Sequence, residues 1–490
     1  MFTKVLVANR GEIACRIFRT LRQLGIGSVA VYHHDDRNAP HVSLADEAIE
    51  LQGAVPSAAY LDRAQIVAAC RRSGAEAIHP GYGFLSENAD FSGFVAESGL
   101  VFIGPEAETI RLMGDKIGSR NFAASQGVPV APSVIQHGDL AEFVAAAEAI
   151  GFPLLIKASA GGGGKGMKIA RSAAELAENA RLAQGEAERY FRDGRIYAER
   201  LIERPRHIEV QVLGDGTGTV LHLYERECSI QRRYQKIIEE APAANLPTAL
   251  RDEICAAAVK LASAARYKNA GTIEFVLAPD GAFYFLEMNT RLQVEHPVTE
   301  AILGLDLVAE QIGIAAGLGL SFAQADLVPN GHAIECRICA EEPEKDFRPA
   351  TGRIGRLRIP GGEGIRFDGG IREGQAVTPA FDSMLAKLIA HAPTRDEAAE
   401  RLAAAVDALV ILGVPVNADY LGRILRHPAF LDGQLHTGFI AEHATALAAP
   451  ALSAELEAAL FAAAALGDKD FRRSIFAVPE PHASIGAWRN

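Results

Sequence analysis

The sequence predicts a multidomain protein mixing α/β and α+β architecture, and three observations carry this. The N-terminal region alternates apolar strands with amphipathic helices, the pattern of a parallel sheet. The middle holds strands joined through a glycine run and polar turns. The C-terminal third has short strands broken by Gly352, Gly355, Gly361, Gly362, Gly364, Gly369, Gly370 and Gly374, which indicates a small β-rich domain. At 490 residues the chain can bury several separate cores.

Lys4 to Ala8 reads as an apolar strand, Asn9 to Glu12 as a turn, and Ile13 to Leu24 as a helix. Ile13, Ile17, Leu21 and Leu24 form its stripe. Gly25 ends that helix, and Ser28 to Tyr32 is the next strand. A helix Leu61 to Arg72, a strand Ala77 to His79, a helix Ala89 to Glu97 and a strand Val101 to Ile103 continue the pattern. Gly25-Ile26-Gly27-Ser28-Val29-Ala30 has dinucleotide-fingerprint spacing. It follows a helix and enters a strand, the reverse of what that fingerprint needs, so it is a helix terminator.

A second region starts at Gly114-Asp115-Lys116. Pro153 to Ala158 is a strand carrying Lys157, and it runs into Gly161-Gly162-Gly163-Gly164-Lys165-Gly166-Met167-Lys168. Glycines let backbone N–H groups approach phosphate, and Lys157, Lys165 and Lys168 add positive charge. The loop is not a Walker A motif, because Gly rather than Ser or Thr follows the Gly-Lys pair. Pro205 to Val212 and Val220 to Leu223 read as strands, followed by a basic cluster to Lys236. Helix Arg395 to Leu409 closes the third region, and Ala444 to Leu466 reads as a surface helix pair.

The net charge of −12 with no long basic run argues against nucleic acid. No apolar stretch is long enough to span a membrane. Met1 leads directly into a strand without a signal-peptide layout, and six scattered Cys fit a reducing cytosol. Cys336-Arg337-Ile338-Cys339 lacks the context of a redox or zinc pair and reads as buried structural thiols.

The chemistry concentrates in Glu287-Met288-Asn289-Thr290-Arg291-Leu292-Gln293-Val294-Glu295-His296-Pro297, after the strand Phe283 to Leu286. Continued alternation would place Glu287, Asn289, Arg291, Gln293 and Glu295 on one face. An apolar core does not accept such a face unpaired. Glu274, in the strand-like run Gly271 to Leu277, joins Glu287 and Asn289 as an oxygen-only donor set suited to Mg²⁺ or Mn²⁺. A metal–nucleotide site follows, with Arg291, Gln293 and Glu295 beside it for an anionic second substrate.

Together these segments resemble the biotin carboxylases of the ATP-grasp superfamily. The match runs from Lys4 to about Glu442 and includes Ala8-Asn9-Arg10-Gly11-Glu12-Ile13-Ala14, His79-Pro80-Gly81-Tyr82-Gly83-Phe84-Leu85-Ser86-Glu87-Asn88, the glycine loop, Gln231-Arg232-Arg233 and Glu287 to Thr299. The resemblance implies a Rossmann-like N-terminal domain over 1–112, an ATP-grasp domain over 113–330 with a mobile lid near 131–203, a C-terminal domain over 331–442, and a helical tail with linker over 443–490. It implies ATP-dependent carboxylation of biotin by bicarbonate through carboxyphosphate.

It further implies residue roles. Lys116, Lys157, Gly162, Gly163, Gly164, Lys165 and Met167 would hold ATP phosphates, Glu199 (just after a strand) and the Leu201 backbone the adenine, and His207, Gln231 and Tyr234 the rest of the nucleotide. Glu274, Glu287 and Asn289 would hold the metal. Lys236, Arg291, Gln293 and the Val294 backbone would bind bicarbonate, with Glu295 as its base, tuned by Arg291 and the metal. Tyr82, Gly83 and Arg337 would bind biotin. Two departures stand out: Tyr234 where the family commonly has His, and Cys339 where Asn is usual.

Met167 alone among the five Met precedes a Lys, and that pair lies in the glycine loop, so no biotin acceptor is evident. The expected partners are a biotin carboxyl carrier protein or domain, a carboxyltransferase subunit and, by family, a second copy in a homodimer. The end, Pro479 to Asn490, is similar to the linker of methylcrotonyl-CoA-type α subunits. A cytoplasmic location is expected. Two other functions fit fewer residues. One is another ATP-grasp carboxylate–amine ligase. The other is an inactive nucleotide-binding assembly subunit, supported by Tyr234 alone.

Overall fold

The computed structural model describes residues 1–136, 138–158, 167–191, 194–451 and 453–467. The chain divides into two compact units, Met1–Leu447 and Ala448–Asn490.

In the first unit, the N-terminal strands form a five-stranded parallel sheet in the order Glu47–Glu50, Gly27–Tyr32, Lys4–Val7, Ala77–His79, Val101–Phe102. The helix Gly11–Gln23 buries Ile13, Ile17 and Leu21 on the predicted stripe. Gly25 then takes φ +68°, with Ile26 N–H bonding back to the Leu21 carbonyl at 2.9 Å, so the glycine pair terminates a helix as expected. Strand order reverses between Lys4–Val7 and Ala77–His79. In such sheets the crevice beyond the carboxyl ends of the two strands is where ligands bind. Asn9 and Tyr82 stand at those ends, and Asn9 Nδ2 donates to the carbonyls of Pro80 and Tyr82, both at 2.7 Å. Gly81 lies between them at φ +63°, where a Cβ would sit 3.0 Å from Asn9 Nδ2. Only glycine suits that approach.

A four-stranded antiparallel sheet joins Ser133–Ile135, Ile196–Arg200, Leu154–Ala158 and Lys168–Ala170. The central feature is an eight-stranded antiparallel sheet: Phe283–Asn289, Lys268–Leu277, Arg206–Asp215, Val220–Arg232, Gln235–Ala241, His332–Cys339, Met384–Ala392, Ile365–Gly369. One face of its first half is apolar, with Ile208, Val210, Val212, Ile273 and Phe275 packed against the helix Thr248–Ala264. The opposite face carries charge.

Several expectations need correction. The strand after Gly218 does not stop at Leu223 but runs to Arg232. Its second half lacks an apolar signal because its charges are paired inward: Glu227 accepts from Arg206 Nε at 3.0 Å, and Arg226 reaches Glu209 at 2.5 Å. The run after Phe283 is a strand only to Asn289. Leu292 then buries in the core beneath the N-terminal sheet and Pro297 opens the helix His296–Leu303, so alternation ends. Glu199 lies within the strand Ile196–Arg200, not after it. Cys336 and Cys339 are buried free thiols, three apart on one strand and therefore on opposite faces. In the second unit, the described residues form one helix, Ala454–Gly467, rather than a pair, because the described residues of 444–453 are not helical.

Candidate active site

Cross-strand register builds the site. Arg226, Glu209, Glu274 and Glu287 are consecutive partners on four neighbouring strands, a single row across the sheet. The next row places Gln211, Thr272 and Asn289 side by side. Pleating sends both rows to the face opposite the apolar core.

Lys236 closes this row from the next strand. Its Nζ donates to Glu209 at 2.5 Å, Glu274 at 2.8 Å and Glu295 at 2.6 Å. Burial opposes the Lys236 charge, but these three carboxylates hold its pKa well above the usual lysine range. Glu295 is fully buried and bridges Lys236 to Arg337, whose Nη2 donates at 2.9 Å. Burial alone would raise the Glu295 carboxyl, yet Lys236, Arg337 and Arg226 hold it well below the usual range. Arg291 is not among the largest of these causes. Arg291 Nε instead donates to Glu87 at 2.8 Å, and its Nη atoms to Asn289 and Gln293 at 3.1 Å each. Gln293 Nε2 donates to Glu274 at 3.1 Å. The Val294 carbonyl accepts from Lys387 Nζ at 2.7 Å.

His207 Nδ1 accepts from Gln231 Nε2 at 2.8 Å, which leaves Nε2 to carry the proton toward Glu274, 2.9 Å away. Glu274 therefore accepts from Lys236, Asn289 (2.9 Å) and Gln293, with the His207 ring in ion-pair contact beside it. Burial works against that charge, but Lys236 and His207 hold its pKa far below normal. Glu287 differs: it has no hydrogen-bond partner among the described residues, and burial and then Glu274 push its pKa up. An all-oxygen pair, Glu274 buried and Glu287 half-buried, in which each carboxylate opposes the other's charge, fits a hard divalent cation.

On the nucleotide side, Lys157 pairs with Glu199, which Arg120 also approaches at 3.4 Å. That carboxylate is engaged by two cations. The Leu201 N–H donates to the Pro153 carbonyl at 2.9 Å. Lys116 starts the helix Lys116–Ser125, half-buried, its ammonium without a hydrogen-bond partner among the described residues. Met167 is half-buried, while Gly162, Gly163, Gly164 and Lys165 lie outside the described residues. Tyr234 is 64 % exposed at a hairpin tip and touches none of these groups. Tyr82 donates its hydroxyl to Glu12, and Gly83 is exposed beside it.

Sequence reasoning missed Glu209, Arg226, Glu239, Glu87, Glu12 and Lys387. Glu209 had a signal, since His207, Glu209 and Gln211 alternate with apolar residues. Lys387 is a lone charge inside the apolar strand Met384–Ala392.

Three family models match the chain: the biotin carboxylase N-terminal domain at residues 1–110, the ATP-binding domain of the carbamoyl-phosphate synthase L chain at 115–323, and the biotin carboxylase C-terminal domain at 335–442. The biotin carboxylase of Nostoc sp. is 48% identical over 444 residues, covering 90% of this chain and 99% of that protein. The mitochondrial methylcrotonoyl-CoA carboxylase α subunit of Glycine max is 49% identical over 441 residues, 89% of this chain but 60% of that one. Among solved structures, the biotin carboxylase domain dimer of Hydrogenobacter thermophilus 2-oxoglutarate carboxylase, in complex with MgADP, ADP and bicarbonate, superposes with a TM-score of 0.88 at 46% identity, covering 92% of this chain and all of that one. The chain belongs to the biotin carboxylase family, ATP-dependent ligases that form a carbon–nitrogen bond by carboxylating biotin.

Proposed function

We propose that this chain catalyses the first half-reaction of a biotin-dependent carboxylase, with ATP, bicarbonate and carrier-borne biotin as substrates. The observation that carries the reading is Glu295, a buried carboxylate gripped by Lys236 and Arg337 beside Arg291 and Gln293.

Arg291 can release Glu87 and grip planar bicarbonate bidentately, with Gln293, Lys236 and the Val294 backbone fixing its orientation. Glu295 is ionised at neutral pH and takes the bicarbonate proton. A bound anion beside it adds negative charge and raises its proton affinity toward that task. The bicarbonate oxygen then attacks the γ-phosphorus, ADP leaves, and carboxyphosphate forms. Its breakdown gives CO₂ and phosphate, the phosphate takes the ureido N–H proton, and the nitrogen so freed captures the CO₂. Arg337 stabilises the enolate-like ureido oxygen, with Tyr82 and Gly83 along the ring.

Lys116, Lys157 and the segment Gly162, Gly163, Gly164, Lys165 and Met167 neutralise ATP phosphates. Glu199 and Leu201 meet the adenine once Lys157 turns to phosphate, and His207, Gln231 and Tyr234 border the nucleotide. Glu274, Glu287 and Asn289 would hold Mg²⁺ or Mn²⁺, which would neutralise developing phosphate charge.

The proposed regions are an N-terminal domain over 1–112, an ATP-grasp domain over 113–330 with its lid over about 131–203, a C-terminal domain over 331–442, and a tail over 443–490. Carrier and carboxyltransferase are the proposed partners. The dimer of the Hydrogenobacter relative supports a homodimer here. Six cysteines, all free and buried, support a cytoplasmic location.

The test is ADP release from MgATP with and without bicarbonate and free biotin. Release that requires bicarbonate and rises with biotin supports the reading. Tight ATP binding with no response to either would sink it.

A further inference from the structure

Glu239 and Glu335 face each other across adjacent antiparallel strands, and both are fully buried. Arg337 follows Glu335 by two positions and shares its face. Glu239 Oε1 accepts from Arg337 Nε at 2.6 Å. Glu239 Oε2 and both oxygens of Glu335 have no hydrogen-bond partner among the described residues. A carboxylate without a single donor is among the costliest groups to bury ionised.

The charged groups facing Glu335 are Lys387, Glu239, Arg337 and Glu295. None of the cations is available to it. Lys387 is committed to the Val294 carbonyl at 2.7 Å and to Glu12 at 3.4 Å. Arg337 is committed to Glu239 and Glu295. What completes the arrangement is one proton between the two carboxyls, which satisfies an oxygen on each side. We propose that Glu335 is a neutral acid that donates to the free oxygen of Glu239, and that this proton-sharing pair is a positioning device for Arg337. Glu239 anchors the guanidinium from behind while the proton on Glu335 keeps Glu239 from turning away. Burial, opposed by Lys387 and reinforced by Glu239, pushes the Glu335 carboxyl well up, in agreement. The consequence for catalysis rests on the reading of Arg337 as a biotin residue.

Infrared difference spectroscopy of the full chain at neutral pH, wild type minus Glu335→Gln, should reveal the carbonyl stretch of a protonated carboxyl that the variant lacks. Absence of that band overturns the proton-sharing pair, whatever the activity does, so this arm is independent of the proposed function. Glu335→Gln keeps a donor and should retain biotin carboxylation within about 3-fold of wild type, a loss of no more than about 0.65 kcal/mol. Glu335→Leu removes the donor and should lower kcat for biotin carboxylation by about 100-fold, the scale of a misplaced catalytic group. Bicarbonate-dependent ADP release without biotin should fall far less in Glu335→Leu, because Lys236 and Arg226 still hold Glu295 ionised. Equal effects of Gln and Leu, or equal loss of both reactions in Leu, overturn the positioning role. If the Leu variant does not fold, Glu239→Gln replaces it, with selective loss of the biotin step expected and its retention overturning the role.

Discussion

Two groups of charged residues on either side of Glu274 differ in how their charges are satisfied. On the Glu295 wall, Lys236, Arg226, Arg337 and Arg291 are each hydrogen-bonded to carboxylates (Glu209, Glu274, Glu295, Glu239 and Glu87). On the wall proposed for the nucleotide, Glu287 and Lys116 have no such partner among the described residues, and Lys157 shares Glu199 with Arg120. A prepaired wall fixes geometry before substrate arrives, because each buried charge depends on its neighbour. An open wall leaves charges whose partners are to come from phosphate and metal. Removing a charge should therefore cost folding on the first wall and ligand binding on the second.

The largest effect should come from Lys236→Met. It leaves Glu209, Glu274 and Glu295 facing one another, and urea unfolding should show a loss of about 3–5 kcal/mol together with loss of bicarbonate-dependent ADP release. A fully stable variant would break the comparison. Glu295→Gln keeps the shape and should lower bicarbonate-dependent turnover by roughly 10²–10⁴-fold, measured as ADP release, with ATP binding intact. Turnover at the wild-type rate would place the base elsewhere.

Glu287→Gln tests the second wall. The divalent cation concentration for half-maximal activity should rise by about 10-fold or more, while urea stability holds or improves. Acidity gives the sign. A depressed carboxyl such as Glu274 or Glu295 stabilises fully above its unfolded pKa and loses that contribution as pH falls through its folded value. A raised one such as Glu287 acts oppositely: stability declines as pH rises from the unfolded value through the folded one. Over that upper window the Gln variant should lose less stability than wild type in pH-dependent urea melts, and parallel curves would contradict the assignment. The smallest effect belongs to Tyr234→His, where the exposed ring makes no hydrogen bond and the change in stability should stay within about 0.5 kcal/mol by thermal melt.

The N-terminal region was the most legible, because each of its strands and helices carries its own apolar period, down to Gly25 as a terminator. The Glu295 wall was legible in residue type and less so in cause. Glu287 and Asn289 lie on one pleated face as expected, but Arg291, Gln293 and Glu295 arrive from a loop, and only their hydrogen bonds bring them in. Glu239 and Lys387 join from strands distant in sequence, and no local period announces a pairing made across a sheet. Charges that face inward also erase the pattern that marks a strand, which is why the segment Glu225 to Arg232 was misread.

The eight-stranded sheet has one more consequence, for divisibility. The strand Gln235–Ala241 pairs directly with His332–Cys339, so the sheet passes without a seam through the position near Gly331 where the sequence suggests a new region. A piece ending there would bare the long edge of Gln235–Ala241 and strip Lys236 of its setting, while the remainder would bare His332–Cys339. Exposed edges of that kind recruit other strands. The strands from Arg206 to Ala392 are thus expected to express and recombine only as a single block, and shuffling between relatives is expected to succeed only at joints outside that sheet.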